Sequence, residues 1–157
     1  MDEAVTGRPD GQPRSEQIGI PGLLRAARRT YATAVREALA EVGCADMPQS
    51  GSFVVGAIAR DGAPLSSIIT ALGVSKQASG QLVDTLVIRG YLERQPDPED
   101  RRRMRLALTE RGRAAAAAAS AASELVEAEL VERVGVERVK VMRSVLGALI
   151  DLNHTTG

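Results

Sequence analysis

The hydrophobic period of the chain changes at Gly90, and this change restricts the fold more than any other feature. Before it, apolar residues recur at helical spacing in two short segments, 65–72 and 76–89, which a glycine-containing turn separates. After it, apolar and polar residues alternate over 91–94 and 103–108, as in half-buried strands. Two short helices joined by such a turn indicate a helix-turn-helix. The hairpin that follows makes it a winged helix.

Local signals set the ends of these elements. Ser75 is expected to cap the second short helix, with its side chain accepting a hydrogen bond from a backbone N–H near Gln77 or Ala78. That helix is expected to turn four side chains towards the core, namely Ala78, Leu82, Val83 and Leu86. Residues 95–102 combine two prolines with several charged side chains, which predicts a solvated hairpin loop.

The rest of the chain completes a mainly α protein with one small β-hairpin. Helical spacing predicts further helices over 23–41, 47–60, 110–134 and 136–152. Thr109 is placed to cap the longest of them. The first 18 residues, rich in glycine, proline and polar side chains, are predicted to be a disordered tail. Residues 19–157 are predicted to form a single domain.

A run of six alanines, 114–119, opens the long helix and allows two interpretations. Small side chains permit close approach between helices, which suits a dimer interface. Alanine is also the strongest helix former, so the run is equally consistent with a solvated stretch of helix. The sequence leaves both open.

The composition argues against an enzyme and against a bound metal or cofactor. The chain has one cysteine and one histidine, His154, close to the end of the sequence. These counts exclude a disulfide framework, a structural zinc site of cysteines and histidines, and a triad with a well-held histidine. No glycine-rich phosphate loop is found. No apolar run approaches a membrane span, and residues 1–17 do not form a secretory signal, which predicts a cytoplasmic protein.

Positive charge is concentrated in the middle of the chain although the formal net charge is +0. Residues 60–113 hold 10 basic and 7 acidic side chains. Arginine, which makes forked contacts to phosphate and guanine, supplies nearly all of the basic groups. A local basic patch attracts a polyanion more effectively than the total charge suggests.

Two groups of residues are candidates for contact with double-stranded DNA. The start of the second short helix carries small polar groups suited to base edges in a major groove: Ser75, Lys76, Gln77, Ser79, Gly80 and Gln81. Taken alone, this helix face is equally consistent with simple solvation. The predicted loop adds Asp100 followed by Arg101, Arg102 and Arg103, and arginines presented in this way fit a narrow minor groove. Together the two groups favour DNA binding.

The chain resembles the multiple-antibiotic-resistance regulator (MarR) family over about residues 20–152. The resemblance lies in segments 72–77, 82–86, 89–94, 97–102 and 108–112, and its most specific part is Asp-Pro-x-Asp-Arg-Arg followed by Leu-Thr-Glu-x-Gly. It implies a homodimer that regulates transcription from a pseudo-palindromic operator, more often as a repressor that a small, often phenolic effector releases. Residues 19–46 and 114–157 would form the dimerisation helices, and 47–113 the DNA-binding region. Arg102 would enter the minor groove and Asp100 would orient it.

Three features leave the resemblance incomplete in detail. Ser79 and Gly80 stand where the family usually has a branched apolar residue and then serine or threonine, so base specificity does not carry over. Candidates for an effector site are Arg25, Arg28, Tyr31 and Phe53, although a solvated helix face also accounts for the arginines. Cys44 follows the first helix and is either a redox sensor or an ordinary loop or core cysteine. A winged-helix module that binds protein, without specific DNA readout, is the alternative function.

Overall fold

The structure is a computed structural model that describes residues 17–61, 73, 75–97 and 104–152. In it, Gly90 lies between a helix and a β-hairpin, where the hydrophobic period of the sequence changes. The elements are α1 (Ile20–Glu41), α2 (Gly51–Asp61), α3 (Lys76–Ile88), β1 (Leu92–Pro96), β2 (Met104–Leu108), α4 (Glu110–Val134) and α5 (Val136–Asp151). The predicted mainly α fold with a β-hairpin wing is confirmed. The predicted helix at 65–72 and most of the predicted tail lie outside the described residues.

The first two helices begin at other residues than the sequence indicates. Helix α1 starts at Ile20, three residues earlier than predicted, with a proline in its first turn, where the missing N–H costs nothing. Helix α2 starts at Gly51 rather than Met47. Pro48 disfavours the helical conformation at Met47, so 47–50 stay outside the helix, and a turn precedes it in which the Gly51 N–H donates to the Pro48 carbonyl at 2.7 Å.

Helix α3 has the predicted cap but a different buried face. The Ser75 Oγ accepts from the Ala78 N–H at 3.2 Å, as predicted. Ser79, Val83 and Leu86 are buried, whereas Leu82 is only half-buried and Ala78 is exposed. The prediction that Ala78 faces the core is therefore wrong. Burial of Ser79 is tolerated because its hydroxyl donates to the Lys76 carbonyl at 2.8 Å.

The hairpin follows α3 after a tight turn at Gly90, whose φ of 72° is left-handed. Strands β1 and β2 are antiparallel, with Leu92 opposite Leu108 and Pro96 opposite Met104. The sequence places Gln95 and Pro96 in the loop, and this is wrong because both pair within the strand. A two-stranded sheet has only edge strands, where a proline is tolerated at a strand end.

The alanines of α4 are buried inside the subunit. Helix α4 packs along α1 and α2, and Ala115, Ala116, Ala119 and Ala122 are buried. Ala115 and Ala116 join the main core with Leu39, Val54 and Leu86. The sequence allows the run to be a dimer interface or a solvated stretch of helix. Neither interpretation is complete, because the alanines allow close packing between helices of the same chain. The interruption predicted between α4 and α5 lies at Gly135, as expected.

Thr109 joins the hairpin to α4 and caps that helix, as predicted. Its Oγ1 accepts from the Gly112 N–H at 3.0 Å and donates to the Gly90 carbonyl at 2.5 Å. We expect Thr109→Ala to lower the free energy of unfolding by about 1–2 kcal/mol, because a cap and a half-buried acceptor both lose their partner. Urea unfolding of both proteins measures the difference. Ser120→Ala, on the exposed face of the same helix, should change stability by less than about 0.5 kcal/mol. Equal effects of the two substitutions would contradict the role given to Thr109.

Candidate nucleic-acid interface

Five of the six residues that the sequence proposes for base contact are exposed at the start of α3. Ser75, Lys76, Gln77, Gly80 and Gln81 are exposed. Ser79 is only 2% exposed, so its predicted place on the contact surface is wrong. Ala78 takes its place on the exposed side, and sequence reasoning missed it by assigning the more apolar of two adjacent small residues to the core. A methyl group on this surface suits contact with the methyl group of thymine.

Gly80 is not required by packing against the described residues. A Cβ built at this position meets none of their atoms within 4 Å. An alanine would therefore fit in the isolated subunit and would favour the helix by about 0.5–1 kcal/mol. A glycine at an exposed helix position is consistent with close approach of the backbone to a ligand.

An ion pair connects β1 to α3. The Arg94 guanidinium donates to the Asp84 carboxylate at 2.7 Å, and both side chains are largely exposed. This pair ties the strand that leads into the wing to the helix that carries the candidate base contacts. The wing residues Asp100, Arg101, Arg102 and Arg103 lie outside the described residues, in the connection between Pro96 and Met104.

A second polar cluster lies at the other end of α3, and we call Asp46, Arg89, Tyr91 and Arg111 the junction. The buried Tyr91 donates its hydroxyl to Asp46 Oδ1 at 2.6 Å. The Arg111 guanidinium donates to the same oxygen at 2.6 Å and stacks 4.3 Å from the centroid of the Tyr91 ring. Arg111 also donates to the Arg89 carbonyl at 2.5 Å, and Arg89 donates to the Asp46 carbonyl.

The ionisation of the junction follows from these contacts. The hydrogen bond from Tyr91 lowers the pKa of Asp46 below its ordinary value, and the charge of Arg111 acts in the same direction. Burial raises the pKa of Tyr91, and the bond to Asp46 raises it further. Asp46 is therefore a carboxylate, and Tyr91 a neutral phenol, throughout the neutral pH range. The charged pair beside a neutral donor makes short, directional hydrogen bonds.

An open groove of about 2290 Å³ runs between α1, α2, the hairpin and α4. It brings together the four residues proposed for effector contact, since Arg25, Arg28, Tyr31 and Phe53 all line it. Its charged lining is mainly basic and consists of Arg25, Arg28, Arg29, Arg36, Glu93, Asp97, Arg60, Arg105 and Arg113. The apolar part of the lining is mostly aliphatic. This chemistry suits an anion with an apolar body.

Cys44 belongs to the core. It is 1% exposed, and its Sγ lies 3.7 Å from the Val42 carbonyl oxygen. Burial of this kind keeps oxidants away from a thiol, which supports the core cysteine rather than the redox sensor.

Helices α1 and α5 carry apolar side chains that are exposed within the part of the chain that the structure describes. On α5 only Val139 is buried, while Met142, Val145, Leu149 and Ile150 are exposed. On α1, Ile20 and Leu24 are exposed as well. No helix within the described ranges is both long and apolar enough to cross a lipid bilayer.

Comparison with known proteins identifies the family of the winged-helix region. Residues 46–103 match the model of the MarR family. No curated protein sequence matches the chain significantly. This match confirms the family resemblance over residues 46–103, and solved structures share the fold of most of the chain.

Three of these structures are similar over nearly their whole length. A MarR transcriptional regulator from Methanosarcina mazei Go1 is 19% identical, with a TM-score of 0.69 over 88% of this chain and 98% of the other. MepR of S. aureus, solved as a complex with DNA, is 20% identical, with a TM-score of 0.67 over 86% and 96%. A MarR-family regulator from Rhodococcus sp. RHA1 is 26% identical, with a TM-score of 0.63 over 88% and 97%.

Proposed function

We propose that this chain, whose residues 46–103 match the MarR family model, is a homodimeric, sequence-specific DNA-binding regulator of transcription that acts as a repressor in the cytoplasm. The relative MepR, solved with DNA, supports the nucleic-acid partner. We propose no catalytic activity and no cofactor, since a DNA-binding regulator needs neither.

The observation that carries this proposal is the exposed first half of α3. Lys76, Gln77 and Gln81 are exposed together at the helix start, where backbone N–H groups of the first turn without a partner inside the helix can meet a phosphate. Glutamine pairs with adenine through two hydrogen bonds, and lysine reaches guanine or phosphate. The side chains and the helix end therefore offer both kinds of contact that specific binding requires.

Dimerisation is proposed through α1 and α5, within residues 19–46 and 114–157. Helix α5 exposes an apolar stripe and the start of α1 exposes Ile20 and Leu24, and apolar surface of this kind is typical of a subunit interface. A two-fold dimer would present two α3 helices to half-sites about 34–36 Å apart, one turn of the double helix. The pseudo-palindromic operator follows from that symmetry.

Release by an effector is proposed to occur in the arginine-lined groove. Arg25, Arg28, Tyr31 and Phe53 belong to α1 and α2, while the opposite lining comes from the hairpin and α4. An anion bound there would contact both the proposed dimerisation helices and the DNA-binding region. The anion would therefore favour one position of the DNA-binding region relative to the dimerisation helices. If that position does not fit the operator, the bound anion lowers the affinity for DNA.

Footprinting on the DNA upstream of the chain's own gene tests the proposal. The purified protein is compared on this DNA and on a scrambled duplex at two salt concentrations. Protection of a two-fold-symmetric site that persists at the higher salt supports a specific regulator. Equal and strongly salt-dependent binding to both duplexes would show phosphate contacts alone. No binding to either duplex would favour the protein-binding module instead.

Two substitutions on α3 should separate base contact from phosphate contact. Gln77→Ala should cost about 1–3 kcal/mol on the operator and relax the preference at one base position. Lys76→Ala should weaken binding to all duplexes alike and reduce the salt slope by about 1. Fluorescence anisotropy on the operator and its single-base variants measures both. Gln49→Ala, an exposed glutamine outside α3 and the hairpin, is the matched control. If it weakens binding as much as Gln77→Ala, the assignment of α3 is wrong.

A further inference from the structure

The junction at the end of α3 connects three parts of the fold through one carboxylate. Asp46 lies in the loop after α1, and the loop is held to that helix by the Cys44 N–H, which donates to the Leu39 carbonyl at 2.8 Å. Tyr91 directly follows α3 and its cap, and Arg111 lies in the first turn of α4. Both donate to the same oxygen of Asp46.

These hydrogen bonds fix the orientation of α3 relative to α1 and α4, which apolar packing alone does not. The core around Leu86 and Tyr91 contributes stability, but the hydrophobic effect is non-directional. The end of α3 is held by polar contacts on two sides, since Arg89 donates to the Asp46 carbonyl and accepts from Arg111. Arg111 also donates to the Gly43 carbonyl at 3.1 Å. Rotation of α3 against α1 or α4 would break several of these bonds together.

A small rotation at the junction has a large effect at the other end of the helix. Helix α3 has 13 residues and so spans about 20 Å. Turning it by about 10° about its last residue would move its first turn by about 3.4 Å, the rise of one base pair. The candidate base contacts lie at the helix start and in its first two turns.

We propose that three residues of the junction, Asp46, Tyr91 and Arg111, set the half-site spacing that the dimer accepts, by fixing α3 relative to the helices proposed to form the dimer. This inference rests on the proposed function. The three are positioning residues, since they lie at the end of α3 away from its candidate base contacts. Loss of the shared carboxylate leaves α3 in place but lets its first turn move, so operators of the wrong spacing are bound almost as well as the right one.

The test uses the operator found by footprinting and two duplexes with one base pair inserted or removed at its centre. The native dimer is expected to bind the altered duplexes about tenfold or more weakly, as it would a mismatched site. Asp46→Ala and Tyr91→Phe should reduce this ratio to about threefold or less. Tyr91→Phe keeps the buried ring and removes only the hydroxyl. Arg133→Ala, which breaks an exposed ion pair within α4, is the control and should keep the native ratio.

A second measurement needs no operator. Spin labels on Gln81→Cys give the distance between the two α3 helices of a dimer, while the buried Cys44 does not react. We expect the distance distribution to broaden by about 3 Å or more in Asp46→Ala, as the estimated displacement of the first turn requires. Unchanged widths and unchanged spacing ratios in folded variants would overturn the inference and leave the proposed function intact. A native protein that binds no operator would instead refute the proposed function.

Discussion

Gly112→Ala is expected to destabilise the folded chain by about 3 kcal/mol or more, the largest stability effect that the structure predicts for a single methyl group. A Cβ at this position would lie 2.0 Å from the Tyr91 carbonyl oxygen and 3.2 Å from Leu108 Cδ2. The oxygen is a backbone atom and also accepts from the Thr109 N–H at 3.2 Å, so it cannot turn away as a side chain can. The first turn of α4 must separate from the hairpin to relieve the clash.

Chemical denaturation followed by circular dichroism measures this effect. Gly80→Ala is the matched control, because its Cβ meets nothing within 4 Å and alanine favours the interior of a helix. We expect Gly80→Ala to raise the free energy of unfolding by about 0.5–1 kcal/mol. A Gly112→Ala protein as stable as the native one would show that α4 and the hairpin are not in close contact at this point.

Signals that act over a few residues allowed some of the element ends to be predicted. Ser75 and Thr109 cap their helices as expected, because a side-chain oxygen and the N–H three residues later are close whenever a helix begins there. Gly90 ends α3 for an equally local reason, since few other residues adopt its left-handed φ. The family resemblance depends on the same region and therefore has a physical basis in the hairpin and its caps.

The buried face of α3 was beyond local reasoning. Ala78 and Ser79 are adjacent, similar in size and both at helical spacing from apolar residues further along, so periodicity does not distinguish them. Polarity favours Ala78 for the core, but the face of the helix that is buried depends on Leu86, which packs into a core formed by distant segments. The Ser79 hydroxyl donates a hydrogen bond to the Lys76 carbonyl within the helix, so burying the serine costs little free energy.

Almost nothing in the sequence indicates the contacts of the junction. Asp46 lies 45 residues from Tyr91 and 65 from Arg111, so no spacing rule connects them. One usable signal was Tyr91 itself, since a tyrosine directly after a buried helix usually needs a partner for its hydroxyl. The identity of that partner depends on the path of the loop after α1, which turn propensities alone do not determine.

Arg102→Ala is expected to have the largest effect on operator binding, a loss of about 2–3 kcal/mol or roughly 30- to 150-fold in affinity. The resemblance places Arg102 in the minor groove with Asp100 orienting it. The three arginines lie outside the described residues, in the short connection between the paired residues Pro96 and Met104. This connection starts from Pro96, two residues after Arg94, which forms the ion pair with Asp84. Removing an arginine from the minor groove removes its attraction to the phosphates and its contact with a narrow, A·T-rich groove.

Arg101→Ala is the matched control, because it removes the same charge from the adjacent position. Both variants should reduce the salt slope by about 1, since each removes one cation near the phosphates. Only Arg102→Ala should also lessen the preference for the operator over a scrambled duplex, because only a side chain in the groove responds to its width. Equal losses of preference in the two variants would mean that the wing contributes charge alone. Unchanged affinity and salt slope in Arg102→Ala would show that the wing assignment is wrong and leave base recognition to α3.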